Sequence, residues 1–127
     1  YIGHKNSLTE NFTVRENLEF WAGINNKLEA VEAALTCFNI QNISVSKVSE
    51  LSAEQKRRAA LARLLVSNSI VWLLDEPFAN LDKKSEDLLK DVIKAKTQQN
   101  GIVIITSHTP IDDKCMLHIQ LDELRNE

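Results

Sequence analysis

The chain has 127 residues, 43% of them hydrophobic, which is enough for one domain with a single core. Its 18 acidic residues outnumber 15 scattered basic ones, for a formal net charge of −3, so the composition does not indicate a nucleic-acid partner. No stretch approaches the roughly 18 apolar residues needed to cross a bilayer, and two distant cysteines form neither a disulfide framework nor a metal-site spacing.

The first half of the chain is predicted to be mainly helical. Tyr1 and Ile2 look like the end of a strand that enters a polar loop. Thr13 and Glu16 have the spacing of a capping box and predict the start of a short helix. A second helix is predicted from apolar residues at helical spacing, namely Leu28, Val31, Ala34, Leu35 and Phe38. The region from Thr13 to Glu50 contains no predicted strand and is interpreted as a helical insertion in an α/β sheet.

A long third helix and a buried strand follow. Ser52 is the expected N-cap of the helix, and Gln55 repeats the capping-box spacing. Residues 70–74 are continuously apolar and rich in β-branched side chains, which favours a buried parallel strand. That strand ends in two adjacent carboxylates, Asp75 and Glu76.

The last part of the chain repeats the helix and strand pattern. A fourth helix is predicted after residues 80–82, and Asn100-Gly101 should end it. Residues 102–105 form a second buried strand, and the alternation over residues 116–121 is typical of an edge strand. Strand, helix and strand in this order predict right-handed parallel crossovers and an α/β domain.

Asp75 and Glu76 carry the clearest chemical pattern. In open α/β sheets, ligands bind at the carboxyl ends of the strands, where this pair is predicted to lie. One carboxylate could hold Mg²⁺ and the other could orient or deprotonate an attacking water, as phosphate hydrolysis requires. A strand that simply ends in a charged turn is the alternative for this pair taken alone.

Two further patterns could belong to the same site. The helix that begins at Ser52 has backbone N–H groups that could bind an anion, although a helix cap explains the same residues. The basic triplet 56–58 is more typical of a solvated helix face. His108 follows the second strand and should share the sheet edge with Asp75, where it could bond a phosphate or hold a water. His4, in the loop after the first strand, is a weaker candidate.

Together these motifs resemble those of ABC-type ATPases, in the order and with the spacing typical of that family. Leu51 to Gln55 resembles the signature motif, usually Leu-Ser-Gly-Gly-Gln, and Val71 to Glu76 resembles Walker B with its catalytic glutamate. Ala79 to Asp82 resembles the D-loop, His108 the switch histidine, and Phe12 to Leu18 the segment that follows the Q-loop.

A narrower resemblance is to the ATP-binding subunits of cytochrome c maturation haem exporters. It rests on His4 at the Q-loop glutamine position, on Glu16 to Trp21, on Ala53 at the first signature glycine position and on the Gln55 to Arg58 run. The resemblance implies a partial P-loop NTPase fold of the ABC type, with a parallel sheet core. Residues 1–127 would form one partial domain, with a helical subdomain over about 13–66 and the C-terminal part of the α/β core over about 67–127.

The resemblance also implies a site for ATP and Mg²⁺. Asp75 would hold the metal, Glu76 would act on the attacking water, and His108 would bridge Glu76 and the γ-phosphate. The signature positions would contact ATP bound to a second copy of the subunit, namely Ser52, Ala53 and Gln55.

Partners and location follow from the same resemblance. His4 and Asp82 would also belong to the nucleotide-binding residues. His4 would sense nucleotide, and Leu81 with Asp82 would communicate across a homodimer of ATPase subunits. The helical insertion would dock on membrane permease subunits, at the cytoplasmic face of the inner membrane. No role for nucleic acid is implied.

Two departures from the family pattern stand out. The chain has three glycines, and none fits the Gly-x-x-x-x-Gly-Lys pattern of a P-loop. With Tyr1 first and Met116 the only methionine, we expect residues to be missing upstream, and we expect the chain alone to be inactive and marginally stable. Glu54 stands at the second signature glycine, where a carboxylate would repel phosphate unless it points away.

Three alternatives remain open. An ABC-type head of a DNA repair or chromosome protein shares the motifs, but it would carry a long coiled-coil insert that this sequence lacks. A non-catalytic remnant, or one half of a split subunit, fits the missing P-loop and Glu54. A generic α/β domain without a nucleotide role would have to match five motifs in order by chance.

Overall fold

The computed structural model describes residues 1–3, 5–108, 111, 117 and 119. His4 and most of the edge strand predicted over residues 116–121 therefore lie outside the described residues. The helices and strands within the described part are α1 Val14–Ile24, α2 Val31–Cys37, α3 Ala53–Ala62, β1 Val71–Asp75, α4 Lys83–Gln98 and β2 Ile102–Thr106. Short 3₁₀ turns at Leu28–Ala30, Gln41–Ile43 and Val48–Glu50 connect the first three helices.

Capping boxes begin α1 and α3, as predicted. The Glu16 N–H donates to the Thr13 hydroxyl at 3.1 Å, and the Thr13 N–H donates to the Glu16 carboxylate at 2.8 Å. Ser52 and Gln55 make the same reciprocal pair at 3.2 and 2.9 Å. Each box satisfies N–H groups that have no partner inside the helix, which is why these residues fix both helix starts.

Helix boundaries differ from the prediction in two places. The predicted second helix is divided, since the 3₁₀ turn at Leu28–Ala30 precedes α2 and leaves Leu28 59% exposed. The third helix was predicted to be long and to include Leu64, but it has 10 residues and ends at Ala62, although Leu64 just beyond it is still buried. Apolar spacing therefore identified Leu64 as a buried position but not the helix end, and it failed at Leu28.

The end of α4 is marked by Asn100-Gly101, as predicted, but asparagine takes the left-handed conformation. Asn100 has a φ of 61°. The Gly101 N–H donates to the Lys96 carbonyl at 3.0 Å and the Asn100 N–H to the Thr97 carbonyl at 3.1 Å. These bonds satisfy carbonyls left without partners at the helix end, and asparagine tolerates this conformation well.

The strands β1 and β2 are parallel neighbours, with Val71 opposite Ile102 and Asp75 opposite Thr106. Ile2 forms an isolated parallel bridge to Leu74, through hydrogen bonds of 2.9 Å on the other edge of β1. The predicted parallel arrangement is confirmed, and the helices α1 to α3 lie in the chain between Ile2 and β1. The carboxyl ends of these segments therefore meet at one edge of the sheet.

The strands are buried on one face only, whereas the sequence predicted fully buried strands. Trp72 and Leu74 belong to the core, which α4 completes with Leu89, Val92 and Ile93. On the opposite face the side chains are about half exposed: Val71 44%, Leu73 44%, Ile102 55% and Ile104 54%. Successive strand side chains point to opposite faces, so a layer of helices on one side covers only every second residue.

Candidate functional site

Asp75 lies at the carboxyl end of β1, where the neighbouring strand anchors its side chain. The Thr106 hydroxyl donates to Asp75 Oδ1 at 2.6 Å, and the Tyr1 hydroxyl lies 3.5 Å from Oδ2. Thr106 is the register partner of Asp75 in the parallel pair. The carboxylate is therefore held at the sheet edge by contacts on two sides.

Glu76 is the next residue, and its backbone is unusual. Its φ is 47°, a left-handed conformation that costs about 1–2 kcal/mol for a residue with a Cβ. The Glu76 N–H donates to the Thr106 carbonyl at 3.0 Å, and the Glu76 carbonyl accepts from the Ala79 N–H at 3.1 Å. The surrounding structure therefore holds this strained conformation in place.

His108 meets Glu76 from the end of β2. The His108 backbone N–H donates to Glu76 Oε1 at 2.6 Å, and Nε2 of the imidazole lies 3.7 Å from the same oxygen. The imidazole side chain is 98% exposed, whereas that of Glu76 is 25% exposed. The sheet thus brings Asp75, Glu76 and His108 to one edge, with the imidazole directed toward solvent.

Asp75 is the candidate ligand for Mg²⁺. Magnesium is usually held by one or two carboxylates together with phosphate oxygens and waters. A single carboxylate steadied by the Thr106 hydroxyl fits that donor set. Within the described residues, His, Cys, Asp and Glu side chains form no group of three or more that could hold a metal by themselves.

The signature positions lie at the exposed start of α3. Ser52 and Ala53 are exposed and Gln55 is half-buried. Among the described residues, the Ser52 and Gln55 side chains bond to each other's backbone, and not to Asp75, Glu76 or His108. Ser52 and Ala53 are therefore presented at the surface, and Gln55 partly so.

Glu54 is paired with a cation of its own helix. Its carboxylate lies 3.3 Å from Nε of Arg58, one helical turn along α3. An ion pair at this spacing is a common feature of helix surfaces. The structure thus favours the arrangement in which Glu54 is turned toward a basic side chain.

Asp82 begins α4 as its N-cap. Its carboxylate accepts from the Ser85 N–H at 2.8 Å, and the hydrogen bonds to Ser85 lower the pKa of Asp82. Asp82, Glu54 and Arg58 line one small pocket of about 190 Å³. The D-loop position and the signature helix are therefore neighbours within one chain.

Arg57 is the main residue that the sequence analysis missed, because the basic triplet was interpreted as a solvated face. Arg57 is 2% exposed, whereas Lys56 pairs with Glu10 at 3.0 Å. Burial lowers the pKa of Arg57, and the nearby charges of Asp75 and Glu76 raise it. Its position three and four residues before the buried Ala60 and Leu61 places it on the core side of α3, a pattern that could have identified it.

Arg57 connects three segments through its guanidinium. Nη2 donates to the carbonyls of Asp75 at 3.2 Å and Glu76 at 2.7 Å, and Nε donates to the Pro77 carbonyl at 3.4 Å. Nη1 donates to the carbonyl of Gly3 at 2.8 Å and to Oδ1 of Asn6 at 3.1 Å. The signature helix is thereby joined both to the end of β1 and to Gly3 and Asn6 near the start of the chain.

Arg63 is a second buried arginine beside the same loop. Its Nη1 donates to the carbonyls of Asn6 and Ser7, both at 3.1 Å. Its guanidinium also lies 4.2 Å from the ring centroid of Trp21 in α1. Arg63 therefore steadies the loop and the helical region, and it makes none of the Arg57 bonds to the end of β1.

Comparison with known proteins gives one consistent family. The ABC transporter family model matches residues 1–79. Relatives named cytochrome c biogenesis ATP-binding export protein CcmA include that of Wolbachia pipientis wMel, 50% identical over 115 residues, which are 91% of this chain and 56% of that protein. The CcmA of Rickettsia bellii is 40% identical over 121 residues, which are 95% of this chain and 62% of that protein. The chain thus spans less than two thirds of the length of these relatives.

Solved structures agree with this assignment. The ADP- and Pi-bound post-hydrolysis dimer of the ATP-binding cassette MJ0796 matches with a TM-score of 0.77 at 21% identity, over 85% of this chain and 51% of that chain. A second dimeric structure of MJ0796 matches with a TM-score of 0.69 at 25% identity, over 83% of this chain and 50% of that chain. Among the described residues, no helix is long and apolar enough to span a membrane. The predicted resemblance to the ATP-binding subunits of cytochrome c maturation exporters is confirmed by the CcmA relatives, and the chain belongs to the ABC transporter family with the fold of an ABC-type ATPase.

Proposed function

We propose that this chain is part of the ATP-hydrolysing subunit of an ABC exporter that serves cytochrome c biogenesis by haem export. The observation that carries the proposal is the cluster of Asp75, Glu76 and His108 at the carboxyl edge of the parallel sheet. In this cluster the Glu76 carboxylate is held by the His108 N–H at 2.6 Å. The names of the CcmA relatives support the assignment to cytochrome c biogenesis and export.

The proposed chemistry assigns one task to each side chain. Asp75, steadied by Thr106, holds Mg²⁺, which supplies positive charge to the phosphates of ATP. Glu76 orients the attacking water and accepts its proton. The exposed imidazole of His108 lies near Glu76 and can bond the γ-phosphate.

The signature positions act on a second subunit in this proposal. Ser52, Ala53 and Gln55 contact ATP held by the partner copy, and the exposed start of α3 supports this, because helix N-termini bind anions. The solved relatives named as dimers support a homodimer. Asp82 and Leu81 communicate between the two copies, and His4 responds to bound nucleotide.

In the proposal, the helical region is the part of the chain that binds the membrane subunits. The helical subdomain, about residues 13–66, docks on permease subunits at the cytoplasmic face of the inner membrane. The remainder, about residues 67–127, belongs to the α/β core. The helices between Ile2 and β1 have 11, 7 and 10 residues, which favours a transporter subunit over a DNA repair or chromosome protein with long coiled-coil arms.

The proposal is tested by Glu76→Gln in the complete ATP-binding subunit that carries this sequence. Because an amide cannot accept the proton of water, ATP turnover should fall by a factor of about 10² or more while ATP binding is retained. Steady-state ATPase assays and nucleotide titration measure the two quantities. The control is Glu29→Gln, an exposed residue in a 3₁₀ turn of the helical region. Wild-type turnover in the Glu76 variant would reject the proposed role.

A further inference from the structure

We propose that Arg57 is a positioning residue for hydrolysis, which holds the backbone of Glu76 in place and links it to the signature helix and to the loop at residues 3–6. The inference rests on the proposed function, since it concerns how the proposed catalytic carboxylate is oriented. Arg57 itself contacts neither substrate nor water in this proposal, and it acts through Glu76.

Within the described part of the chain, Arg57 binds only uncharged oxygen atoms. Its five hydrogen-bond acceptors are four backbone carbonyls and the side-chain amide oxygen of Asn6. All five are neutral, and the side chain is 2% exposed. Burying a guanidinium without a directly bonded carboxylate is costly, and an apolar residue would suit the core side of α3 better if packing were the only requirement. The contacts therefore indicate a role in orientation.

Arg57 also holds the peptide that follows Glu76. Arg57 Nη2 donates to the Glu76 carbonyl at 2.7 Å, the shortest of its bonds. Glu76 has a φ of 47°, and its carboxylate accepts from the His108 N–H at 2.6 Å. Removing the guanidinium would take away the shorter of two bonds to this carbonyl, since the Ala79 N–H also donates to it at 3.1 Å, and would leave the strained backbone less constrained. The carboxylate would then lose its orientation toward the attacking water.

Different groups hold the Asp75 carboxylate and the backbone of Glu76. The Asp75 carboxylate is held by the Thr106 hydroxyl at 2.6 Å, whereas the hydrogen bond that Arg57 donates to Asp75 goes to its backbone carbonyl. Loss of Arg57 should therefore leave the proposed metal ligand in place. The expected effect is on the rate of the chemical step and not on the affinity for ATP.

Arg63 provides a matched control. It is the C-cap residue of α3, six residues after Arg57, and it is 9% exposed. It donates to the carbonyls of Asn6 and Ser7, beside the atoms that Arg57 binds. It donates no hydrogen bond to the Glu76 carbonyl. An Arg63 variant therefore measures the general effect of removing a buried guanidinium beside this loop.

The experiment compares Arg57→Met and Arg63→Met in the complete ATP-binding subunit, with kcat, KM for ATP and the thermal unfolding midpoint as readouts. We expect Arg57→Met to lower kcat by about tenfold or more with KM changed by less than about twofold. We expect Arg63→Met to lower the unfolding midpoint similarly but to keep kcat within about threefold of wild type.

A second variant covers the case in which Arg57→Met does not fold. Arg57→Lys keeps the positive charge, but a single ammonium cannot reach both the end of β1 and the loop at residues 3–6. It should lower kcat several-fold with an unchanged KM. If both Arg57 variants that fold change kcat no more than Arg63→Met does, Arg57 is only a structural residue and the inference is wrong.

Glu76→Gln, measured in the same series, separates this inference from the proposed function. If Glu76→Gln abolishes turnover while the Arg57 variants behave like Arg63→Met, only the positioning role fails. If Glu76→Gln keeps wild-type turnover, the proposed function fails and the role of Arg57 fails with it.

Discussion

Polar side chains at helix starts and strand ends hold this molecule's candidate site together. Glu76 keeps a left-handed backbone because neighbouring groups bond both its N–H and its carbonyl. Asp82 has a related local role, since its carboxylate accepts from the N–H of Ser85 at the start of α4. In both cases, hydrogen bonds that involve backbone N–H or C=O groups fix the position of the acidic residue.

Asp82 should make stability depend on pH. Its pKa is lowered, first by the hydrogen bonds from Ser85 and then by the charges of Arg58 and Lys84. A lowered carboxyl pKa stabilises the fold above the ordinary range near pH 4, and this contribution is lost as the pH falls through the lowered value. We expect Asp82→Ala to destabilise the protein more at pH 7 than at pH 3.

Denaturant unfolding of wild type, Asp82→Ala and Asp82→Asn at the two pH values checks this prediction. Asparagine keeps an oxygen that can cap the helix and loses the charge, so Asp82→Asn should be the milder change at pH 7. An Asp82→Ala effect of equal size at both pH values would contradict the pH dependence.

At the scale of elements, the start and the middle of α3 make different contacts. Its first turn is closed by the Ser52 and Gln55 capping box, and Arg57 in the next turn reaches the end of β1. The start of the helix is exposed and its middle is buried. One helix can therefore present signature positions to a partner and still be attached to the carboxylate site of its own chain.

Removal of the Ser52 cap should weaken α3 measurably. Ser52→Ala loses the hydroxyl that accepts the Gln55 N–H, which is expected to cost about 1 kcal/mol in the free energy of unfolding. Ser52→Thr retains a hydroxyl and should cost clearly less. Chemical denaturation measures both, with Ser49→Ala, an exposed serine before the helix, as the control. Equal stability of Ser52→Ala and wild type would rule out a stabilising cap.

At the scale of the whole molecule, one sheet face packs into the core and the other is open. Leu73 and Ile104 are direct register partners on the open face, and they are 44% and 54% exposed. Exposed apolar side chains on a two-stranded sheet favour association between chains. The 127-residue chain should therefore self-associate as its concentration increases.

The combination Leu73→Glu with Ile104→Lys tests this expectation. It places opposite charges across the strand pair, so it should reduce self-association while keeping helix and strand content. Sedimentation velocity and circular dichroism measure the two effects. Leu74→Glu, at a position 2% exposed on the core face, should instead unfold the chain. A monomeric wild-type chain at high concentration would contradict the prediction.

The sequence by itself determined the features that depend on near neighbours in the chain. Capping boxes at Thr13 and Ser52, the apolar runs of β1 and β2, and the stop after α4 are local, so short patterns identified them. The parallel order of the strands followed from general rules of chain connection, which also placed Asp75 and Glu76 at one sheet edge with the end of β2. The family motifs added the proposed roles.

Only the tertiary structure decided features that depend on distant partners. Arg57 donates to acceptors that lie 18 to 54 residues away in the chain. From the sequence, its charge therefore indicated a solvated helix face, whereas in the structure the side chain is buried. The sequence likewise did not predict three other features. These are the left-handed backbone of Glu76, the pairing of Glu54 with Arg58 and the burial of only one face of the sheet. Local patterns specify where elements begin and which face is apolar, but the contacts that hold a site depend on which elements meet in space.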